Sequence, residues 1–242
     1  MSFLLYLALI PVIIIGVVIY KNDKVEKEST KILIKVFCGG ILAAIITLLL
    51  SGVLEIVFPF FAVDNESNLT LLSAIPYYFI GVALVEEFSK WLFVYLFCWK
   101  YKGFDYLYDG IVYCVFASLG FAAIENILYV FVDGIGAGIM RGLFAVPGHA
   151  FFAVYMGYYL GMSKVFYIRN ERKKSTIYFL LSIIIPTIIH GLYDYLLSIS
   201  SFINPLLSFA MFIVFMVLLY IFAIKRVRKV SNIRLDIYNN QV

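Results

Sequence analysis

Seven long apolar runs alternate with short polar connections along the chain, at about 3–20, 32–59, 70–98, 110–132, 140–162, 176–199 and 203–224. Runs of this kind match helices crossing a hydrocarbon core roughly 30 Å thick. The second and third runs are long enough to tilt or to contain a break, and Pro76 marks a natural break in the third. The pattern predicts an all-α fold: a polytopic membrane helix bundle of about seven transmembrane helices, with residues 1–242 forming a single membrane domain. The connections are too short to fold separately, and residues 225–242 read as a basic tail. The first run lacks a basic leader and a small-residue cleavage site, so it is expected to be an anchor rather than a removed signal peptide.

Composition narrows the class. The chain is 64% apolar and 14% charged, whereas soluble domains run nearer a quarter charged. The net charge of +4 is no argument for nucleic acid, because the basic residues lie between apolar runs. Of the 19 Lys and Arg, all but Lys90 and Arg141 fall in or beside alternate connections: the one after the first run, those after the third and fifth, and the tail. The intervening connections, around 63–68, 133–138 and 200–204, carry none. By the positive-inside rule the N-terminus is expected outside and the C-terminus in the cytoplasm. Cys38, Cys98 and Cys114 are isolated within spans, have no metal-ligand spacing, and read as small packing residues.

The exceptions to the apolar pattern carry the chemistry. Glu86 and Glu87 sit mid-span with Lys90 just beyond, although one ionised carboxylate in hydrocarbon costs roughly 2.5 kcal/mol or more. Counting about 1.5 Å per residue from the basic ends brings Glu87, Glu125, His149, His190 and Asp194 to one layer, from mid-membrane into the outer half, on four helices. Glu86 and Lys90 share a helix face by i, i+4 spacing, as do Phe121 and Glu125, and His190 and Asp194; Glu87 is turned away by about 100°. Gly120, Gly148 and Gly191 allow close helix approach beside these positions, and Pro147 and Pro186 precede the two histidines. Each group alone has a packing explanation, such as a structural Glu86–Lys90 ion pair or a helix–helix histidine hydrogen bond. Their coincidence at one depth points to a site.

Carboxylates and imidazoles without a serine nucleophile suit activation of water, with a glutamate as general base and a histidine assisting it or stabilising an oxyanion. The alternative is a Zn²⁺ site, with Glu125, His149 and His190 as candidate ligands and a glutamate as base. The HExxH zinc-protease pattern is absent. Two other classes use intramembrane carboxylates: a proton-coupled transporter, disfavoured by the lack of inverted repeats, and a non-catalytic binding or immunity protein.

EEFSK (86–90), FAAIEN (121–126) and HGLYD (190–194), with His149 between the last two, resemble the EExxK, FxxxE and HxxxD motifs of the PrsW family of bacterial intramembrane proteases, distant relatives of the type II CAAX prenyl endopeptidases. The resemblance runs from about residue 76 to 196, in matching order, with 70–199 supplying the catalytic core helices. It implies a multi-pass protein of the bacterial cytoplasmic membrane. The implied reaction is cleavage, near the extracytoplasmic side, of a single-span substrate such as an anti-sigma factor. By the same resemblance Glu86 and Glu87 are the catalytic carboxylates, Glu125 and His149 their direct partners, and His190 with Asp194 the pair that activates water or stabilises an oxyanion. Lys90, Phe121, Asn126 and Asp109 are supporting residues. Glu125 stands where the CAAX relatives carry histidine.

Overall fold

In hydrocarbon a backbone must satisfy its own hydrogen bonds, which helices do within one segment. The computed structural model describes residues 2–24, 26–62, 66, 68–233 and 236–237, so Arg234 and most of the 63–68 connection lie outside the described residues. The chain forms α1 (Ser2–Asn22), α2 (Thr30–Val57), a 3₁₀ turn (Pro59–Phe61) and α3 (Leu71–Pro76). A π-helical stretch (Tyr77–Leu84) leads on into α4 (Val85–Cys98). Then come α5 (Leu107–Met140), a second π-helical stretch (Arg141–Ala145), α6 (Val146–Ile168), α7 (Arg172–Ser198), a 3₁₀ turn (Ile199–Ser201) and α8 (Pro205–Asn232). Among the described residues there is no strand, only an isolated bridge between Tyr106 and Asp236.

Local chemistry sets several boundaries. Thr70 and Ser73 form a reciprocal capping box at α3, and Asn204 accepts from the amides of Leu206 and Leu207 ahead of Pro205 at α8. The break expected at Pro76 occurs there: α-helix gives way to π-helix at the next residue. Asn170, with φ 62°, makes the tight reversal between α6 and α7.

Among the described residues six segments are long and apolar enough to cross a membrane, one of them the 62-residue stretch Leu107–Ile168. A straight helix of that length would extend about 90 Å, three times the hydrocarbon thickness. It folds back at Gly134 (φ 79°, ψ −160°), a conformation open to glycine. The two arms then run antiparallel, with Gly110 against Gly157, Ser118 against His149 and Asn126 against Arg141. Counting both arms gives seven, as the apolar pattern expects. The reversal is tighter than the 133–138 connection suggested.

The first arm of α5 is the centre of the bundle. From Leu107 to Ala123 every residue except Phe116 is buried, and α1, α2, α4 and α6 pack around it. At the outer surface Leu48, Ile56, Leu72, Val132 and Leu206 are 70 to 82% exposed, far more apolar surface than a water-facing protein leaves open. The expected basic tail begins as helix, since α8 continues to Asn232. Beyond it Ile237 is buried, and its amide donates to the Asp105 carbonyl at 2.6 Å.

Candidate active site

The π-helical stretch before α4 adds residues per turn and so resets the face on which Glu86 and Glu87 emerge. Both point toward α5, α6 and α7. Lys90 is wholly buried, and its ammonium donates to Glu87 Oε1 at 2.8 Å, Glu86 Oε2 at 3.1 Å and His149 Nδ1 at 3.1 Å. The long lysine chain therefore spans both glutamates, whereas the sequence pattern assigned it to Glu86 alone; i, i+3 and i, i+4 neighbours flank the same side chain. The ring of Phe121 covers the ammonium at 4.1 Å.

Because lysine can only donate, His149 Nδ1 accepts and its Nε2–H donates to Glu125 Oε2 at 2.8 Å. The other Glu125 oxygen pairs with Arg141 Nη2 at 2.9 Å. On α7, His190 Nδ1 lies 2.9 Å from Glu87 Oε1. His190 Nε2 faces Asp194 Oδ2 at 3.3 Å and Glu86 Oε2 at 4.0 Å. Phe152 stacks on the His190 ring at 4.8 Å, and the two imidazoles meet edge to face at 5.3 Å. The structure thus joins all six residues expected to be catalytic, together with Lys90 and Phe121, into one network.

The two adjacent glutamates differ in access. The Glu87 side chain is fully buried, while that of Glu86 is 14% exposed and lines a cavity of about 730 Å³. Glu66, Glu125, Arg141, His149, His190, Asp194 and Ser198 contribute to the rest of its polar wall; Tyr77, Tyr78, Phe144 and Phe212 contribute to the apolar one.

Two further residues expected in support make structural contacts. Asn126 donates to the Ala8 carbonyl and accepts from Arg141 Nε, tying α1 to the hairpin. Asp109 lies at the start of α5, where its Oδ2 accepts from the amides of Asp105 and Tyr106. Arg141 carried no role in the sequence reading. The signal was present: it is the one basic residue, besides Lys90, outside the basic connections.

The residues able to hold a metal also differ from expectation. Glu86, Glu87, His149 and His190 each offer a donor atom, all within 4.8 Å of one another. Glu125, also a candidate ligand by sequence, falls outside this group; its oxygens meet His149 and Arg141. Two carboxylates and two imidazoles suit Zn²⁺. Glu87 Oε2 is buried without a hydrogen-bond partner, which fits an oxygen that takes a further ligand. In this layer four carboxylates, Glu86, Glu87, Glu125 and Asp194, face only Lys90 and Arg141 as permanent cations. A divalent cation would balance that excess.

Residues 28–222 match the sequence model of a family described as PrsW family intramembrane metalloprotease. The chain is 39% identical to Protease PrsW of Oceanobacillus iheyensis over 215 residues, covering 88% of this chain and 89% of the relative. It is 34% identical to Protease PrsW of Clostridioides difficile over 201 residues, 81% and 80% of the two chains. With Protease PrsW of Bacillus subtilis the identity is 29% over 217 residues, 89% and 90%. No solved structure matches the chain.

Proposed function

The chain belongs to the PrsW family of intramembrane metalloproteases, and from that membership we propose that it hydrolyses a peptide bond of a membrane-anchored protein with water activated by Glu86. It is a multi-pass membrane peptidase, which sets aside the transporter and immunity readings. The observation that carries the mechanism is the difference between the two glutamates: Glu86 reaches the cavity, while Glu87 is enclosed by Lys90 and His190. Only Glu86 meets substrate and water without rearrangement.

Each residue then has a task. Glu86 takes the proton of the attacking water and returns it to the leaving amine. Glu87, His149 and His190 would hold the metal, which when bound supplies a polarised carbonyl and a more acidic water. Glu125, itself fixed by Arg141, orients the His149 ring by accepting its Nε2–H. Asp194 Oδ2 lies 3.3 Å from His190 Nε2, an electrostatic neighbour rather than a hydrogen-bond partner.

We further propose that the N-terminus is outside and the C-terminus in the cytoplasm, which sets the polar layer nearer the extracytoplasmic face of the cell membrane. Support comes from the distribution of Lys and Arg. The substrate class implied by the family resemblance is a single-span protein of the anti-sigma-factor kind. The test is cleavage of such a substrate by purified protein. Glu86→Ala, Glu87→Ala and His190→Ala are each expected to lose at least about 100-fold in rate while remaining folded and inserted. Chelation is expected to silence the wild type and Zn²⁺ to restore it. Full activity in all three variants sinks the reading.

A further inference from the structure

The most crowded point of the site is a cation that belongs to the chain. Lys90 Nζ lies 2.8 to 3.1 Å from donor atoms of Glu87, Glu86 and His149, three of the four residues able to hold a metal. Its three hydrogens have three acceptors, none of them on the backbone. The ammonium is wholly buried and backed by the Phe121 ring at 4.1 Å.

We propose that Lys90 is a resident counter-ion of this donor set, which holds it assembled without metal and competes with the metal for the same atoms. The inference rests on the metal reading of the site given above. The physical case is direct. A carboxylate oxygen or imidazole nitrogen that accepts a short hydrogen bond from an ammonium offers that lone pair to a metal only after the bond is broken. Without the ammonium, the fully buried Glu87 carboxylate would lie close to the Glu86 carboxylate at the cavity wall with no cation between them, which is costly for the buried member. Lys90 therefore stabilises the empty site and weakens the loaded one. Arg141 is a useful contrast. It is a cation on the cavity wall, but its contacts are with Glu125, Asn126 and the Tyr129 ring, none of which belongs to the donor set.

The expected behaviour is an enzyme that folds metal-free and takes up metal reversibly. The experiment titrates purified full-length protein, stripped of metal, with Zn²⁺ and measures affinity calorimetrically. Lys90→Met and Lys90→Gln are expected to bind Zn²⁺ about tenfold or more tightly than wild type, the scale on which groups next to ligands tune metal sites. Arg141→Gln removes the same charge without contacting a donor directly; because it loosens Glu125 and through it the His149 ring, it is expected to leave affinity unchanged or lower it, not to raise it. Adding His149→Ala to Lys90→Met is expected to remove the gain. The metal-free Lys90 variants are also expected to melt below wild type, with Zn²⁺ restoring most of the difference.

A folded Lys90→Met or Lys90→Gln that binds no more tightly than wild type, or gains no more than Arg141→Gln, overturns the proposal. If neither Lys90 variant folds, the wild type still decides. Zn²⁺ is then expected to raise the labelling of Lys90 by a small amine-reactive reagent, read by peptide mass spectrometry, and unchanged labelling at saturating Zn²⁺ refutes it. Absence of Zn²⁺ binding in wild type and every folded variant would instead sink the metal reading itself.

Discussion

Arg141 shows how a single residue was legible in part. Its isolation from the basic connections was visible in the sequence; its partner was not, because Glu125 and Arg141 meet only once the chain folds back at Gly134. The same holds for Lys90. Spacing along α4 gave its pairing with Glu86, but its reach to Glu87 and to His149 depends on side-chain length and on α6 being alongside. Glu125 is a similar case: depth and residue type place it in the layer and among the candidate ligands, while the contacts of its two oxygens, with Arg141 and His149, depend on how the hairpin packs. The arrangement predicts a graded loss. Arg141→Gln leaves one Glu125 oxygen without its partner and frees the carboxylate to turn, so the His149 ring loses its fixed orientation. Cleavage is expected to fall by roughly 10- to 100-fold, short of abolition. Glu125→Gln/Arg141→Gln is expected to cost much less than the product of the two single losses, since both act through one contact. Rates on a single-span substrate at saturating and limiting concentration check this. Multiplying losses would mean that Arg141 acts elsewhere.

At the scale of elements the apolar pattern carried most of the fold. Seven arms and the break at Pro76 are readable, because length and proline chemistry are local. Which arm lies at the centre was not readable. α5 is buried because glycines let its neighbours approach backbone to backbone, and a small residue in an apolar run does not announce its partner. A Cβ on Gly120 would run into the Phe37 carbonyl of α2, and one on Gly157 into the Gly110 carbonyl of α5. By contrast, a Cβ on Gly52 would meet nothing within 4 Å. Gly120→Val and Gly157→Val are therefore expected to destabilise the bundle by about 1–3 kcal/mol or more. Gly52→Ala is expected to be neutral or stabilising by up to about 1 kcal/mol through helix propensity. Thermal unfolding in a single detergent separates these outcomes. Equal melting of Gly120→Val and Gly52→Ala would show that α2 and α5 are not in contact as described.

For the molecule as a whole, the polar layer is one of two places where, among the described residues, charged side chains are buried. The other joins the α1–α2 connection to the start of α5, at the end of α5 away from Glu125. There Glu28 is buried between Asp23, Asp105, Asp109 and Tyr113. Burial first, then the charges of Asp23 and Asp105, push its carboxyl from an ordinary 4.5 up to about 7, against hydrogen bonds with Tyr113 and Asp109 that act the other way. The sign follows from linkage. A carboxyl whose pKa is raised by folding favours the folded state while protonated. That contribution is complete below about pH 4.5 and is lost as pH rises through about 7. Glu28→Gln keeps the shape and hydrogen-bonding capacity without the proton. The stability of wild type relative to Glu28→Gln is therefore expected to fall between pH 4.5 and 7 by on the order of 1–3 kcal/mol and to level off above. Taking the difference between the two proteins removes the titration of groups that do not touch Glu28, including those of the polar layer; the neighbouring Asp109 interacts directly with Glu28 and stays in the difference. Melting temperatures of both proteins from pH 4.5 to 8.5 in one detergent give the curve. A difference independent of pH would place Glu28 in water, and with it the α1–α2 connection away from α5.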